Sequence, residues 1–583
     1  MAEFEVVIRG GSIVDGTGVP RFTADLAICD GRIAEIGRVD ANRAQRVLEA
    51  DGLIVAPGAV DLHTHYDAQI QWDPWCTISG WHGVTTVVLG NCGFGFAPVR
   101  PADREVAMRT MARTEAIGLD AMRAGLLWDW ETIPEWLDSL DRIRKGVNCL
   151  SYAPIIPILY WVMGVEAAKS RGPTEPEQVQ IDRLINEAMD AGACGWSMQR
   201  MGLQTAQTDF DGTPMATDTM AEADVLALAE ILGRRGEGFI QITQVSEWKL
   251  KDNLAAVERI ADSAQRPVLF NVVQAVNDYP DLHRRYMSWL EDCHRRGLSV
   301  YGQGVTVRQP FHIMLEDWNL FDMAPTWNQS LQGSIEDKMR NLRDPERRRA
   351  MVSEYDDGII PLSMLGGRVE DYVIECAPSA AGLDGLLGQR VGEVAQARGV
   401  HPVECLLDLS LQADLHATFL TRSASGDIPE DVAELLSSPY IMAGVSDGGA
   451  HAKFTVGGAY PTDMLEWLVR EQGVISAELA HHKLAWLPAR AAGLQDRGGL
   501  IEGMAADVVV YDPTRIKRAP DWKATEVVHD QPDGEWRRSQ RAEGYHWTLV
   551  NGEVSFEGNH CTDVTPGRLL RQGAKSRAAR RRP

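Results

Sequence analysis

The sequence predicts an α/β protein: a (β/α)8 barrel flanked by a small β-sandwich that both ends of the chain build together. Three observations carry this. From residue 58 to about 495, short apolar runs alternate with helical periodicity, the pattern of a parallel sheet wound through crossover helices. Residues 3 to 57 instead read as short strands punctuated by turns, and that pattern returns past Gly498. A length of 583 residues accommodates one large barrel plus a smaller domain.

Taken in order, the N-terminal β segment, residues 1–57, turns at Gly10-Gly11, Asp15-Gly16, Asp30-Gly31 and Ala56-Pro57-Gly58. The barrel, residues 58–497, begins with the strand that follows Gly58. Its further strands are expected at Val84–Leu89, Val147–Ala153, Ala193–Ser197, Phe239–Thr243, Val268–Val273, Leu298–Val305, Ile359–Met364 and Tyr440–Ser446. Helical periodicity fills the gaps, as at Pro176–Ala191, Met220–Gly233 and Leu254–Ser263. Long connections at Pro101–Glu131, Gln204–Thr219 and Val307–Ser334 are expected to cover the C-terminal mouth and shape a pocket. The C-terminal β segment, residues 498–567, carries Gly503–Tyr511 and His546–Gly552, which pair with the N-terminal segment in one discontinuous sheet. Residues 568–583 are dense in Arg and Lys and read as a solvated, disordered tail.

A net charge of −24 argues against a nucleic-acid or anionic-membrane partner. No run of about 18 apolar residues occurs, so no transmembrane helix is expected. The stretch Ala2–Arg9 alternates like a strand and lacks the pattern of a signal peptide. Nine cysteines, an odd number with no CxxC pair, fit free thiols in a reducing cytoplasm.

The chemistry concentrates at strand ends. In Asp61-Leu-His-Thr-His-Tyr-Asp67, His63 and His65 lie two apart at the end of a strand and so share a face. Paired imidazoles suit zinc, iron or nickel. The next apolar run ends in Asn91-Cys92-Gly93, and successive barrel strands are neighbours, so Cys92 falls beside the pair. The last run, Tyr440–Ser446, leads into Asp447-Gly-Gly-Ala-His451, and the eighth strand closes next to the first. A carboxylate there can bind a metal and accept a proton from water. Singly, Cys92 is a small buried hydrophobe, Asp447 a turn residue and His451 a satisfied neighbour of other groups. Their joint occurrence at strand ends one, two and eight predicts a metal site.

The motifs Pro57-Gly-Ala-Val-Asp-Leu-His-Thr-His-Tyr-Asp67, Trp81-His-Gly-Val-Thr-Thr-Val-Val-Leu-Gly-Asn-Cys-Gly93 and Ser446-Asp-Gly448 extend the comparison. So do Leu487-Pro-Ala-Arg490 before Asp496-Arg-Gly498, Gly503–Pro513, Val550-Asn-Gly552 and Pro566-Gly-Arg568. On these the chain resembles the amidohydrolase superfamily, and within it the N-acyl-D-amino-acid deacylase (D-aminoacylase) family, over nearly its whole length. The resemblance implies a TIM-like barrel with a discontinuous β-sandwich, zinc, and hydrolysis of an amide. It implies that His63, His65 and Cys92 are metal ligands, and that Asp447 is both ligand and general base.

The chain also departs from that family. Its relatives supply two further zinc histidines from strands five and six, where this sequence has Phe239–Ser246 and Val268–Gln274 and no histidine between His82 and His283. Only the neutral amides of Gln244 and Asn271 could coordinate there. One zinc ion is therefore expected, held by His63, His65, Cys92 and Asp447. The family's carboxylate-binding groups are altered too: Gln274 stands for its lysine, Tyr301-Gly-Gln303 for its tyrosine-rich turn, and the apolar run Ala153–Trp161 for a His and an Arg. Arg308 and Lys453 remain as anion contacts, with Tyr301, Gln303 and His451 as further substrate contacts.

Seventeen tryptophans, several in the long connections, suggest an aromatic-walled cavity and an apolar or aromatic acyl substrate. The leading reading is hydrolysis of a linear amide by a small-molecule hydrolase. A cyclic amide, lactam or lactone substrate is the alternative within enzymes, and a catalytically retired barrel acting as a scaffold the alternative outside them. The sequence leaves monomer and homo-oligomer both open.

Overall fold

A computed structural model describes residues 3–244, 250–318, 320–361, 365–423 and 426–573. Apolar runs form the barrel strands because both faces are covered: Val84–Leu89 is buried along its whole length. The barrel strands are Ala59–Asp61, Val84–Leu89, Asn148–Ser151 continued by Ala153–Pro154, Gly195–Gln199, Phe239–Thr243, Val268–Val273, Val300–Gly304 and Ile441–Ala443. Each pairs in parallel with the next, the third through both its parts. A parallel bridge from Thr64 to Gly448, with His65 N donating to Gly448 O at 2.7 Å, brings the eighth strand's end against the first.

Helices occupy the crossovers. The one at Glu175–Ala191 starts at a Thr174–Glu177 capping box and stops at Gly192, whose φ of 112° a side chain would resist. Inside the barrel, Val60, Leu62, Val88, Leu150, Leu269 and Met442 form one apolar layer that also takes Tyr301. That packed layer is a floor, and it leaves the C-terminal ends of the strands as the side that can hold a site.

Three features between the barrel strands differ from the sequence expectation. Between the seventh and eighth strands the chain leaves the barrel and builds an antiparallel sheet from Pro310–Ile313, Thr418–Ser423 and Val373–Cys376. Helices including Pro345–Asp356 and Pro402–Gln412 pack on it around a separate core that contains Trp318, Trp327, Tyr372 and Phe419. The strand expected at Ile359–Met364 is absent at residues 359–361; residues 362–364 lie outside the described residues. The connection Pro101–Glu131 is largely helical, as Arg104–Glu115 and Leu119–Gly125.

The chain ends meet in a nine-stranded sheet. Its centre is the antiparallel pairing of Ile54–Pro57 with Val508–Tyr511, which joins residues before the barrel to residues after it. Of the stretch read as a disordered tail, residues 568–573 pack beside the third strand: Leu570 N donates to Cys149 O at 2.8 Å and Arg571 reaches Asp138 at 2.6 Å. Residues 574–583 lie outside the described residues. Among the described residues no helix is long and apolar enough to cross a membrane.

Candidate metal centre

The end of the first strand carries His63 and His65, both buried. Cys92 Sγ lies 3.3 Å from His63 Nε2 and 3.9 Å from His65 Nε2. Asp447 Oδ1 lies 3.3 and 3.8 Å from the same nitrogens. Tetrahedral zinc, with bonds of about 2.0–2.3 Å, spaces its ligand atoms about 3.3–3.8 Å apart. His63, His65 and Cys92 therefore have the chemistry and the spacing for a divalent ion, and Asp447, the fourth residue singled out for that role, stands beside both imidazoles.

Protonation favours the same use. Burial pushes His63 down to about 4 and holds His65 below its ordinary value, so both rings are neutral at pH 7. Gln303 fixes the His63 tautomer: its Nε2 donates to Leu62 O at 3.2 Å, which leaves Oε1 facing His63 Nδ1 at 3.5 Å. The Nε2 lone pair then points at the site. Burial pushes the Cys92 thiol and the Asp447 carboxyl up, a cost that a cation beside them would reverse.

The local backbone is strained where the ligands sit. Cys92, Asp447 and His451 adopt φ of 57°, 47° and 49°, in the left-handed region. Such residues cost about 1–3 kcal/mol each and persist where their surroundings hold them. Around Cys92 the holding groups are Asn91 Nδ2, which donates to Thr64 O and Val88 O at 2.9 Å each, and Gln241 Oε1, which accepts from Cys92 N at 2.8 Å.

One acidic residue that the sequence did not single out belongs to this cluster. Glu115 closes the helix Arg104–Glu115 and is fully buried, 3.8 Å from His65 Nε2 and 3.3 Å from His451 Nε2. An acid at the end of a surface-crossing helix carries no sequence signal that separates it from a solvated one.

Strands five and six hold no imidazole here, and their ends form a neutral ladder. Thr243 and Asn271 are in register. Gln241 Nε2 donates to Thr243 Oγ1 at 2.7 Å and to Asn271 Oδ1 at 2.5 Å, and Thr243 Oγ1 lies 3.1 Å from Cys92 Sγ. Thr243, rather than the expected Gln244, is the fifth-strand group that meets the cysteine.

The residues expected to contact substrate are dispersed. His451 lines the cavity above the ligands. Gln303 instead positions His63, and Tyr301 packs in the barrel floor against His294, 5.1 Å between rings. Arg308 is turned to Asp463, at 2.7 and 3.1 Å, and lies over the rings of Trp467 and Trp522. Lys453 is paired with Asp317 at 2.8 Å and Glu535 at 3.4 Å. Both cations are thus neutralised by acids distant in sequence. The apolar run after the third strand forms the helix Ile155–Met163, which lines a separate small cavity with Ile156, Pro157 and Trp161.

The cavity over the ligands is about 140 Å³. Its apolar wall includes Met201, Val272, Val305, Phe311, Leu320 and Val445, and its polar wall Gln207, Gln274 and Gln309. The long connections 204–219 and 307–334 contribute here as expected. The tryptophans do not: Trp128 and Trp130 pack with Phe96 and Trp136, and Trp318 and Trp327 fill the core of the insertion.

A family model described as the amidohydrolase family matches residues 46–556. An uncharacterised protein of Mycobacterium tuberculosis (strain ATCC 25618 / H37Rv) is 27% identical over 622 residues, covering 98% of this chain and 96% of its own length. The D-aminoacylase of Alcaligenes xylosoxydans xylosoxydans is 25% identical, covering 98% of this chain and 98% of its own. Among solved structures, the N-acyl-D-glutamate deacylase of Bordetella bronchiseptica, complexed with zinc and a phosphonate mimic of the tetrahedral intermediate, matches with a TM-score of 0.64. That likeness, at 22% identity over 98% of this chain and 100% of the other, is one of fold: a TIM barrel with a β-sandwich.

Proposed function

We propose that this chain, which belongs to the amidohydrolase family, is a metal-dependent hydrolase of linear amide bonds whose substrate is uncharged and largely apolar. The carrying observation is the convergence of His63, His65, Cys92 and Asp447 beneath a cavity with apolar and neutral amide walls. The names of the relatives, a D-aminoacylase and a zinc-bound deacylase, support the amide bond and the metal. Bound among these ligands, zinc lowers the pKa of water toward about 7 and polarises a carbonyl oxygen.

The chain's residues supply the rest. Asp447, half-open to the cavity, takes the proton of the water that attacks the acyl carbon. It returns that proton to the amide nitrogen as the C–N bond breaks, which gives an amine and a carboxylic acid, and the acid's remaining proton then passes to the amine or to solvent. Gln303 keeps His63 in the tautomer that leaves Nε2 unprotonated. Met201, Phe311 and Leu320 exclude bulk water around the acyl group, and Gln207, Gln274 and Gln309 offer hydrogen bonds without charge. Among the described lining residues there is no Lys or Arg. A substrate carboxylate would be buried there unpaired, at a cost of several kcal/mol.

Metal analysis of the purified protein, with turnover of N-acyl amines and anilides against N-acyl amino acids of both hands, tests the reading. About one zinc per chain and a clear preference in kcat/KM for the neutral amides are expected. Asp447→Asn should retain the native circular dichroism and lower kcat by roughly 10²–10⁴-fold. Absence of both metal and turnover would favour the scaffold reading, and a preference for carboxylate substrates would overturn the substrate assignment.

A further inference from the structure

We infer that Glu115 is a ligand of the metal, a carboxylate delivered by the helix Arg104–Glu115 in place of the imidazoles that strands five and six lack. The inference rests on the proposed metal and goes beyond its four expected ligands.

Glu115 sits where a carboxyl is costly. It is fully exposed to no solvent, and neither carboxyl oxygen has a hydrogen-bond partner. It is the last residue of its helix, where the helix dipole is negative and an acid is disfavoured. Among the described residues its ion-pair partners are two buried imidazoles, His65 Nε2 at 3.8 Å and His451 Nε2 at 3.3 Å. Among the described residues no Lys or Arg forms an ion pair with it. A buried carboxyl so placed is costly unless a cation compensates it.

The geometry says where that cation belongs. His65 Nε2 is 3.9 Å from Cys92 Sγ, 3.8 Å from Asp447 Oδ1 and 3.8 Å from Glu115 Oε1. Three donors of different chemistry thus stand at nearly one distance from one neutral nitrogen, with Glu115 and Asp447 beside the tight cluster of His63, His65 and Cys92. The backbone that carries the carboxyl is held from the eighth strand's loop, where His451 N donates to the main-chain carbonyl oxygen of Glu115 at 2.5 Å. Opposite it, Thr243 and Asn271 are engaged with Gln241 and carry no charge. Helix and loop have supplied what the strands do not.

The test is zinc affinity of the full chain, read by competition with a chromophoric chelator. Glu115→Gln keeps the shape, removes the charge, and should weaken zinc by roughly 100-fold or more. Glu115→Asp, which retains the charge one methylene further back, should fall between the two. The cobalt-substituted Glu115→Gln protein should keep the Cys92 thiolate charge-transfer band while its ligand-field bands change. Zinc affinity equal to wild type in Glu115→Gln would overturn the inference alone. A wild-type chain that binds no zinc would overturn the metal reading with it. If Glu115→Gln fails to fold, anomalous diffraction at the zinc edge of the wild-type protein decides. A Glu115 oxygen at about 2.0–2.2 Å from the ion upholds the assignment, and an ion beyond bonding reach of it refutes it.

Discussion

Single residues at this site carry strain, and its position is informative. Cys92 at φ 57° orients its sulfur toward both imidazoles. Cys92→Ser retains size but offers a poorer, protonated donor, so zinc affinity should fall by about 10–100-fold in chelator competition while the melting temperature stays near wild type. Arg308 illustrates the opposite case, a charge whose role is structural. It is 9% exposed and bound to a fully buried Asp463. Arg308→Met should lower stability by about 3 kcal/mol in urea titration, softened by Arg518 at 3.4 Å from the same acid, with KM unchanged. The four proposed ligands were legible because each follows a barrel strand, and strand ends are fixed by apolar runs. Arg308 and Lys453 were not, since a sequence shows a base without showing the acid it folds against. Glu115 was hidden for a related reason: its partners, His65 and His451, lie far from it in sequence.

At the level of elements, the ends of strands five and six form a unit. Gln241 ties Cys92 N, Thr243 and Asn271 together. Gln241→Ala leaves those buried groups short of partners and should cost about 1–3 kcal/mol, seen as a lower urea midpoint. Zinc affinity should fall with it, because the turn that presents Cys92 loses its anchor. Periodicity located the barrel strands because a doubly covered parallel strand is apolar throughout. It could not assign sheet membership, so the run at 359–364 was counted with the barrel, whereas its neighbourhood belongs to an insertion with a separate core. The helix Arg104–Glu115 was read as a loop because, with five buried residues in twelve, its apolar pattern is weak.

For the molecule as a whole, the seam between barrel and C-terminal ribbons passes through buried neutral histidines. His82 Nδ1 meets Thr462 Oγ1 at 2.7 Å and Nε2 donates to Gln540 O at 3.1 Å. Burial lowers its pKa from 6.5 to about 3. The unfolded chain therefore binds a proton below pH 6.5 that the folded chain refuses, and this share of stability is lost as pH falls from about 6.5 toward 3. The urea midpoint of the wild type should drop between pH 7 and 5, and that of His82→Gln less steeply. The difference approaches about 1.4 kcal/mol per pH unit for one group. Comparing the two proteins cancels the buried carboxyls, whose raised values act in the opposite direction.

The central pairing of the terminal sheet has a consequence during synthesis. Ile54–Pro57 finds its partner only when Val508–Tyr511 leaves the ribosome. At about 5–20 residues per second, that is roughly 20–90 seconds after the first strand has emerged. Throughout that interval the nascent chain carries an open, apolar strand edge, the kind that recruits other chains. Slow translation or a missing C-terminus should therefore tell first on yield and aggregation, before any effect on the chemistry at His63 and His65.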